Sequence, residues 1–169
     1  MSRTTKELIL KHFVKRGEFV LRDGSKSSNY FDFRELIGHP KILDLITNDL
    51  TKMMTEIKPE LIAGLPYASL PIATVISVKS GVPMIYRRKE IKDYGTKKDV
   101  EGIYEKGQKV LIVDDVITSG GSKKEIIEAL IQKGLIIIGI LVIVDRRKTR
   151  GDFEGVPVYS LFLETDFDK

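Results

Sequence analysis

The chain has 169 residues, 42% apolar and 31% charged, a globular composition with enough apolar side chains to bury a core. It contains no cysteine, which excludes disulfides and thiolate chemistry, and its net charge of +4 is too mild to specify nucleic acid but suits an anionic small molecule. The longest apolar stretch, 135–144, has 10 residues against the ~20 of a bilayer span, and residues 1–17 carry no signal-like apolar run, so a cytoplasmic chain with no membrane partner is expected.

In chain order, residues 5–16 are predicted to be helical, with Leu8, Ile9, Phe13 and Val14 near helical spacing and Gly17 where a helix stops. Short strands are expected at 18–21 and 29–33, around a turn-rich 22–28. Pro40 opens a helix whose broad apolar face is Ile42, Leu43, Ile46, Leu50, Met53 and Met54, and Lys58-Pro59 closes it. Elements then alternate: strand 61–63, helix 70–79, strand 82–86, strand 109–113, helix 122–132 with Gly134 at its end, and strands 136–144 and 156–163. This alternation predicts an α/β fold with a central, mostly parallel sheet flanked by helices. No repeat or linker divides residues 1–169, so one domain is expected. Residues 87–107 interrupt the pattern with dense charge and little apolar periodicity; they read either as a solvated connection or as a mobile lid.

The stretch VLIVDDVITSGGS at 110–122 carries the most chemistry. A buried strand runs into Asp114 and Asp115, and a Thr/Ser/Gly turn then opens a helix. Backbone N–H groups of 118–122, with the positive end of the helix, can converge on a phosphate. Gly120 and Gly121 allow close approach. Two carboxylates beside a phosphate are useful if they accept hydrogen bonds from a sugar diol. Asp115 and Ser122 could instead be plain turn and cap residues. A nucleotide-hydrolase strand is the other competitor, but neither GxxxxGK[ST] nor GxGxxG occurs in the chain. Nothing pairs with His12 or His39 to make a nucleophilic set.

The 110–122 segment resembles the phosphoribosyl pyrophosphate signature of type I phosphoribosyltransferases. Arg88-Lys89-Glu90-Ile91-Lys92-Asp93-Tyr94-Gly95 resembles the lid of the orotate phosphoribosyltransferases in that family. The likeness runs from about Phe19 to Arg146. It implies the type I fold, with a small N-terminal hood and substrate segment at about 1–35 and a catalytic loop at 87–107. It also implies that Asp114 and Asp115 meet the ribose hydroxyls of phosphoribosyl pyrophosphate, and that Val116, Ile117, Thr118, Ser119, Gly120, Gly121 and Ser122 surround its 5-phosphate. Arg88, Lys89, Lys92 and Tyr94 would act at the leaving pyrophosphate, with the loop reaching the neighbouring site of a homodimer. Mg²⁺ would be the cofactor, carried by the substrate and not caged directly by the protein.

By the same resemblance, 63–71 is the pyrophosphate loop, with the amides of Tyr67 and Ala68 in contact; Ala68 stands where some members have lysine. Arg146, Thr118, Arg22, Tyr30 and Phe31 would bind orotate, with Arg22 where the family usually has lysine. The implied reaction joins orotate to ribose 5-phosphate in pyrimidine biosynthesis. Two alternatives stay open at this level: another type I transferase acting on a purine or uracil, and a non-enzymatic regulator that senses phosphoribosyl pyrophosphate.

Overall fold

The computed structural model describes residues 3–20, 24, 26–88, 99–118 and 121–168; the side chains of 121 and 122 are not among the described groups. Helix α1 spans Arg3–His12 and leads into an antiparallel hairpin of β1 (Val14–Val20) and β2 (Lys26–Phe31). The helix is shorter than its periodicity suggests. Val14, Lys15 and Arg16 pair with Phe31, Tyr30 and Asn29 instead, and Gly17 lies within the strand, at an irregularity in the register between Arg16 and Phe19. Ladder hydrogen bonds to a partner strand outweigh the weak helical preference of this stretch.

A 3-10 turn over Phe33–Gly38 precedes α2 (Pro40–Ile57). Lys58 caps α2 in the left-handed conformation, its N–H on the Met54 carbonyl at 3.0 Å, and Pro59 prevents continuation. Then follow β3 (Leu61–Gly64), α3 (Ser69–Ser80), β4 (Met84–Arg87), β5 (Val100–Glu101), β6 (Lys109–Ile117), α4 (Gly121–Gln132), β7 (Ile136–Asp145) and β8 (Val158–Leu163). Their order in the sheet is β5-β4-β3-β6-β7-β8. All neighbours are parallel except β4 and β5, where Tyr86 faces Glu101 and Arg87 faces Val100. Within the charged 87–107 segment, residues 88–99 are therefore bounded by paired strands, and the buried Val100 anchors their far side.

Side chains of β6 alternate between two cores. Leu111 and Val113 join the layer under α1, α2, α3 and the hairpin; Val110 and Ile112 join the layer under α4. This alternation decides which way the two carboxylates at the end of the strand face.

Candidate functional site

Strand β6 continues four residues past its predicted end at Val113, because Asp114, Val116 and Ile117 pair with Val142, Val144 and Asp145 of the long β7. The carboxylates thus sit on strand, not on loop. Asp114 shares the face of Ile112 and turns toward α4, where its Oδ2 lies 2.5 Å from the Lys123 ammonium. Its Oδ1 accepts the Asp115 N–H at 2.9 Å. Asp115 takes the other face, and its Oδ1 accepts the Val116 N–H at 2.8 Å. Burial, then the neighbouring Asp114 charge, push the Asp115 carboxyl up to about 7.

A cavity of about 450 Å³ opens over this strand end, lined by Pro66, Arg87, Arg88, Asp114, Asp115 and Lys123 among others. Strands β3, β4 and β6 all deliver their carboxyl ends here, the usual ligand crevice of open parallel sheets. Arg87 projects from the end of β4 and donates to the Glu125 carbonyl of α4 at 3.3 Å. Arg88 is tied to the far side of its loop: its N–H meets the Asp99 carbonyl at 2.8 Å and its Nε meets Glu101 Oε1 at 2.5 Å. Asp99 is itself held by Lys133 at 2.7 Å. Arg88 and Asp99, which flank the 89–98 stretch, are thereby held side by side at the cavity. The candidates Lys89, Lys92 and Tyr94 lie outside the described residues.

Of the expected phosphate turn, Val116 and Ile117 belong to the strand. The Val116 carbonyl accepts from Lys123 at 2.7 Å, the Ile117 carbonyl accepts the Arg146 N–H at 2.9 Å, and the Ile117 side chain is fully buried. Thr118 begins the turn and is half-buried. Ser119 and Gly120 lie outside the described residues, as do the side chains of Gly121 and Ser122. The first turn of α4 contains no acidic residue, which leaves its positive dipole end available to an external anion.

A second cavity, of about 240 Å³, lies on the hood side, lined by Tyr30, Asp32, Arg34, Tyr67, Ala68 and Asp115 with their neighbours. Asp115 therefore borders both cavities. The Pro66–Tyr67 peptide is cis, and Ala68 precedes the first turn of α3. Tyr30 packs on Phe19, with ring centroids 5.4 Å apart. Phe31 faces the core against Phe167 at 5.2 Å. Arg34 holds Asp32 through Nε at 2.7 Å and Nη2 at 2.9 Å, and Lys15 adds a third contact at 2.9 Å. Arg34 first, then Lys15, hold the Asp32 carboxyl down to about 2.

Arg146 is not a surface charge: its side chain is 4% exposed. Its Nη2 donates to Glu164 Oε1 at 2.6 Å, Ser27 Oγ at 2.7 Å and the Asn29 carbonyl at 3.1 Å, and its guanidinium lies 5.2 Å from the Phe31 ring centre. It braces the hairpin from behind the smaller cavity. Arg22 lies outside the described residues. Sequence reasoning gave no role to Arg34 or Lys123 and included Arg87 only as one charge of the 87–107 loop. Of the first two, Lys123 left a signal, a lysine in a helical first turn where acidic residues are favoured.

Residues 35–167 match the family model of the phosphoribosyl transferase domain. The chain is 41% identical over 152 residues to the uridine 5'-monophosphate synthase of Bos taurus, covering 87% of this chain and 32% of that one. It is 37% identical over 161 residues to the orotate phosphoribosyltransferase of Pyrococcus horikoshii, covering 92% and 87%. The orotate phosphoribosyltransferase structure from Aeropyrum pernix superposes with a TM-score of 0.79 at 33% identity, over 96% of this chain and 94% of that one. The chain spans 60% of a Caenorhabditis elegans orotate phosphoribosyltransferase, so coverage of such relatives varies with their length.

Proposed function

The chain belongs to the orotate phosphoribosyltransferases of the phosphoribosyl transferase family, and from that premise we propose that it transfers ribose 5-phosphate from phosphoribosyl pyrophosphate to orotate, giving orotidine 5'-phosphate and pyrophosphate. The observation that carries this reading is the shared wall: two adjoining cavities, one lined by Arg87, Arg88 and Lys123 and the other by Tyr30, Arg34 and Tyr67, meet at Asp115. A sugar donor in the first would present its anomeric carbon to a planar base in the second. Inversion at that carbon follows from attack opposite the leaving pyrophosphate.

The chemistry needs no protein nucleophile. As the bond to pyrophosphate breaks, negative charge grows on the leaving group and positive charge on the ribose carbon. Arg88, Lys89 and Lys92 stabilise the first. The turn at 118–122 and the α4 dipole hold the 5-phosphate. Asp115 and Asp114 accept the ribose hydroxyls and favour the developing positive charge. Closure of the 89–98 segment excludes water from a sugar that would otherwise hydrolyse. Mg²⁺ would arrive with the donor substrate and would supply charge neutralisation at its diphosphate, with no protein cage required. Asp114 Oδ2 is already taken by Lys123, so Asp115 is the carboxylate with more capacity for the diol.

Arg34, which lines the smaller cavity, is the cation assigned to the orotate carboxylate, and Arg146 braces the hairpin that carries Tyr30. The proposal includes a homodimer in which Lys89, Lys92 and Tyr94 reach the neighbouring site, and a cytoplasmic setting. Among the described residues no helix is long and apolar enough to cross a membrane. Steady-state turnover with orotate, donor and Mg²⁺ is the test, beside a panel of uracil, adenine and hypoxanthine. Turnover with orotate alone is expected, and it should stop on chelation of Mg²⁺. A preference for a purine would overturn the substrate assignment.

A further inference from the structure

Lys123 and Lys124 occupy the first turn of α4 and have opposite environments. The Lys124 side chain is 57% exposed and lies 3.9 Å from Glu154. The Lys123 side chain is 6% exposed. A cation there opposes the helix dipole, and an ammonium taken out of water is costly unless it is paired. The fold meets that cost locally. The Lys123 stem runs back along α4 toward the end of β6, and Nζ lies 2.5 Å from Asp114 Oδ2 and 2.7 Å from the Val116 carbonyl. Lys123 also lines the larger cavity. An ammonium has three N–H donors, so two hold the strand end and one is left for the chamber.

The occupant of that chamber, on the reading above, carries several negative charges on its phosphates. Two uncompensated carboxylates facing it would repel it in a partly desolvated site. A fixed cation against one of them removes that conflict without removing the acceptor. It also fixes the rotamer of Asp114, since the Asp115 N–H holds Oδ1 while Lys123 holds Oδ2. We propose that Lys123 is a positioning residue for the phosphoribosyl donor: it holds Asp114 in one rotamer at the strand end and cancels its charge, so that the chamber admits a polyanion and Asp115 is left to meet the sugar diol. The role rests on the transferase reading and adds a residue that the signature motif does not contain.

The test compares the wild type, Lys123→Met, Asp114→Asn and the double variant, measuring KM for donor and for orotate together with melting. Lys123→Met keeps the length and apolar stem, and should raise the donor KM about tenfold or more with orotate KM within about twofold, as expected for loss of a charged hydrogen bond. In the Asp114→Asn background the same change should move the donor KM by less than about threefold, because the pair is already broken. A smaller rise, an equal rise for both substrates, or the same factor in both backgrounds overturns the role. If Lys123→Met shows no cooperative melting, Lys123→Gln takes its place with the same thresholds. Absence of donor turnover in the wild type sinks the transferase reading and this role together; wild-type turnover with unchanged Lys123→Met constants sinks the role alone.

Discussion

In the larger cavity, most ligand-facing groups come from one run of chain, Asp114 to Ile126, joined by Leu65, Pro66, Arg87 and Arg88. In the smaller one they come from 30–34, 67–68 and Asp115, and the wall is braced by Arg146, which reaches residues 117 and 119 positions away in sequence. The first is mainly a strand, a turn and a helix start, with the ends of β3 and β4 completing its wall, so most of its geometry is local. The second exists only when the hairpin, β7 and the C-terminal turn have docked. Changes to loop charges outside the buried Lys123–Asp114 pair should therefore affect catalysis with little effect on folding, whereas changes behind the smaller cavity should affect both.

The largest expected effect belongs to the charged loop at 87–107. Lys92→Ala should lower kcat hundreds-fold, ~3–4 kcal/mol for a lost transition-state cation, while melting stays unchanged. Near-wild-type turnover would remove the lid from the mechanism, and a large melting shift would break the contrast drawn above. Mixing Lys92→Ala with Asp115→Asn chains should restore activity if the loop acts across a dimer.

Arg146→Leu probes the other side. It leaves Glu164, 27% exposed, without its closest cation. A loss of ~2–3 kcal/mol, about 5–10 °C in Tm, is expected for a broken, partly buried pair. Orotate KM should rise in the same variant. A rise in KM with no change in Tm would show that Arg146 is a contact and not a brace.

The smallest effect is a pH slope. The Asp115 carboxyl is pushed up to about 7 in the folded protein against 3.8 ordinarily. Its folded value is raised, so the stability it contributes is fully present below its ordinary value and is lost as pH rises through about 7. A donor that needs the carboxylate must displace the proton. Donor kcat/KM should then fall about tenfold per unit as pH drops below about 7. Asp115→Asn should flatten that slope; a flat wild-type profile would mean that Asp115 does not ionise on the way to catalysis.

The local parts of this design are legible in the sequence. Alternating apolar runs mark β3, β6 and β7. Lys58-Pro59 and Gly134 mark where α2 and α4 end, and the Asp-Asp-turn-helix stretch marks the larger cavity. The remainder depends on partners far along the chain. Val14–Arg16 has helical spacing, yet the strand opposite captures it. Two-residue β5 has no periodicity to detect; its place depends on Val100 filling the core beside β4. Arg34 and Lys123 look like solvated charges until Asp32 and Asp114 are seen beside them.

A single carboxylate common to two chambers couples what happens in one to what happens in the other. Whatever occupies the first chamber sets the charge and posture of Asp115, and so changes what the second chamber offers an acceptor. Linkage makes this reciprocal: the factor by which donor improves acceptor affinity is the factor by which acceptor improves donor affinity. Titrating either substrate in the presence of the other therefore reads the state of that one side chain.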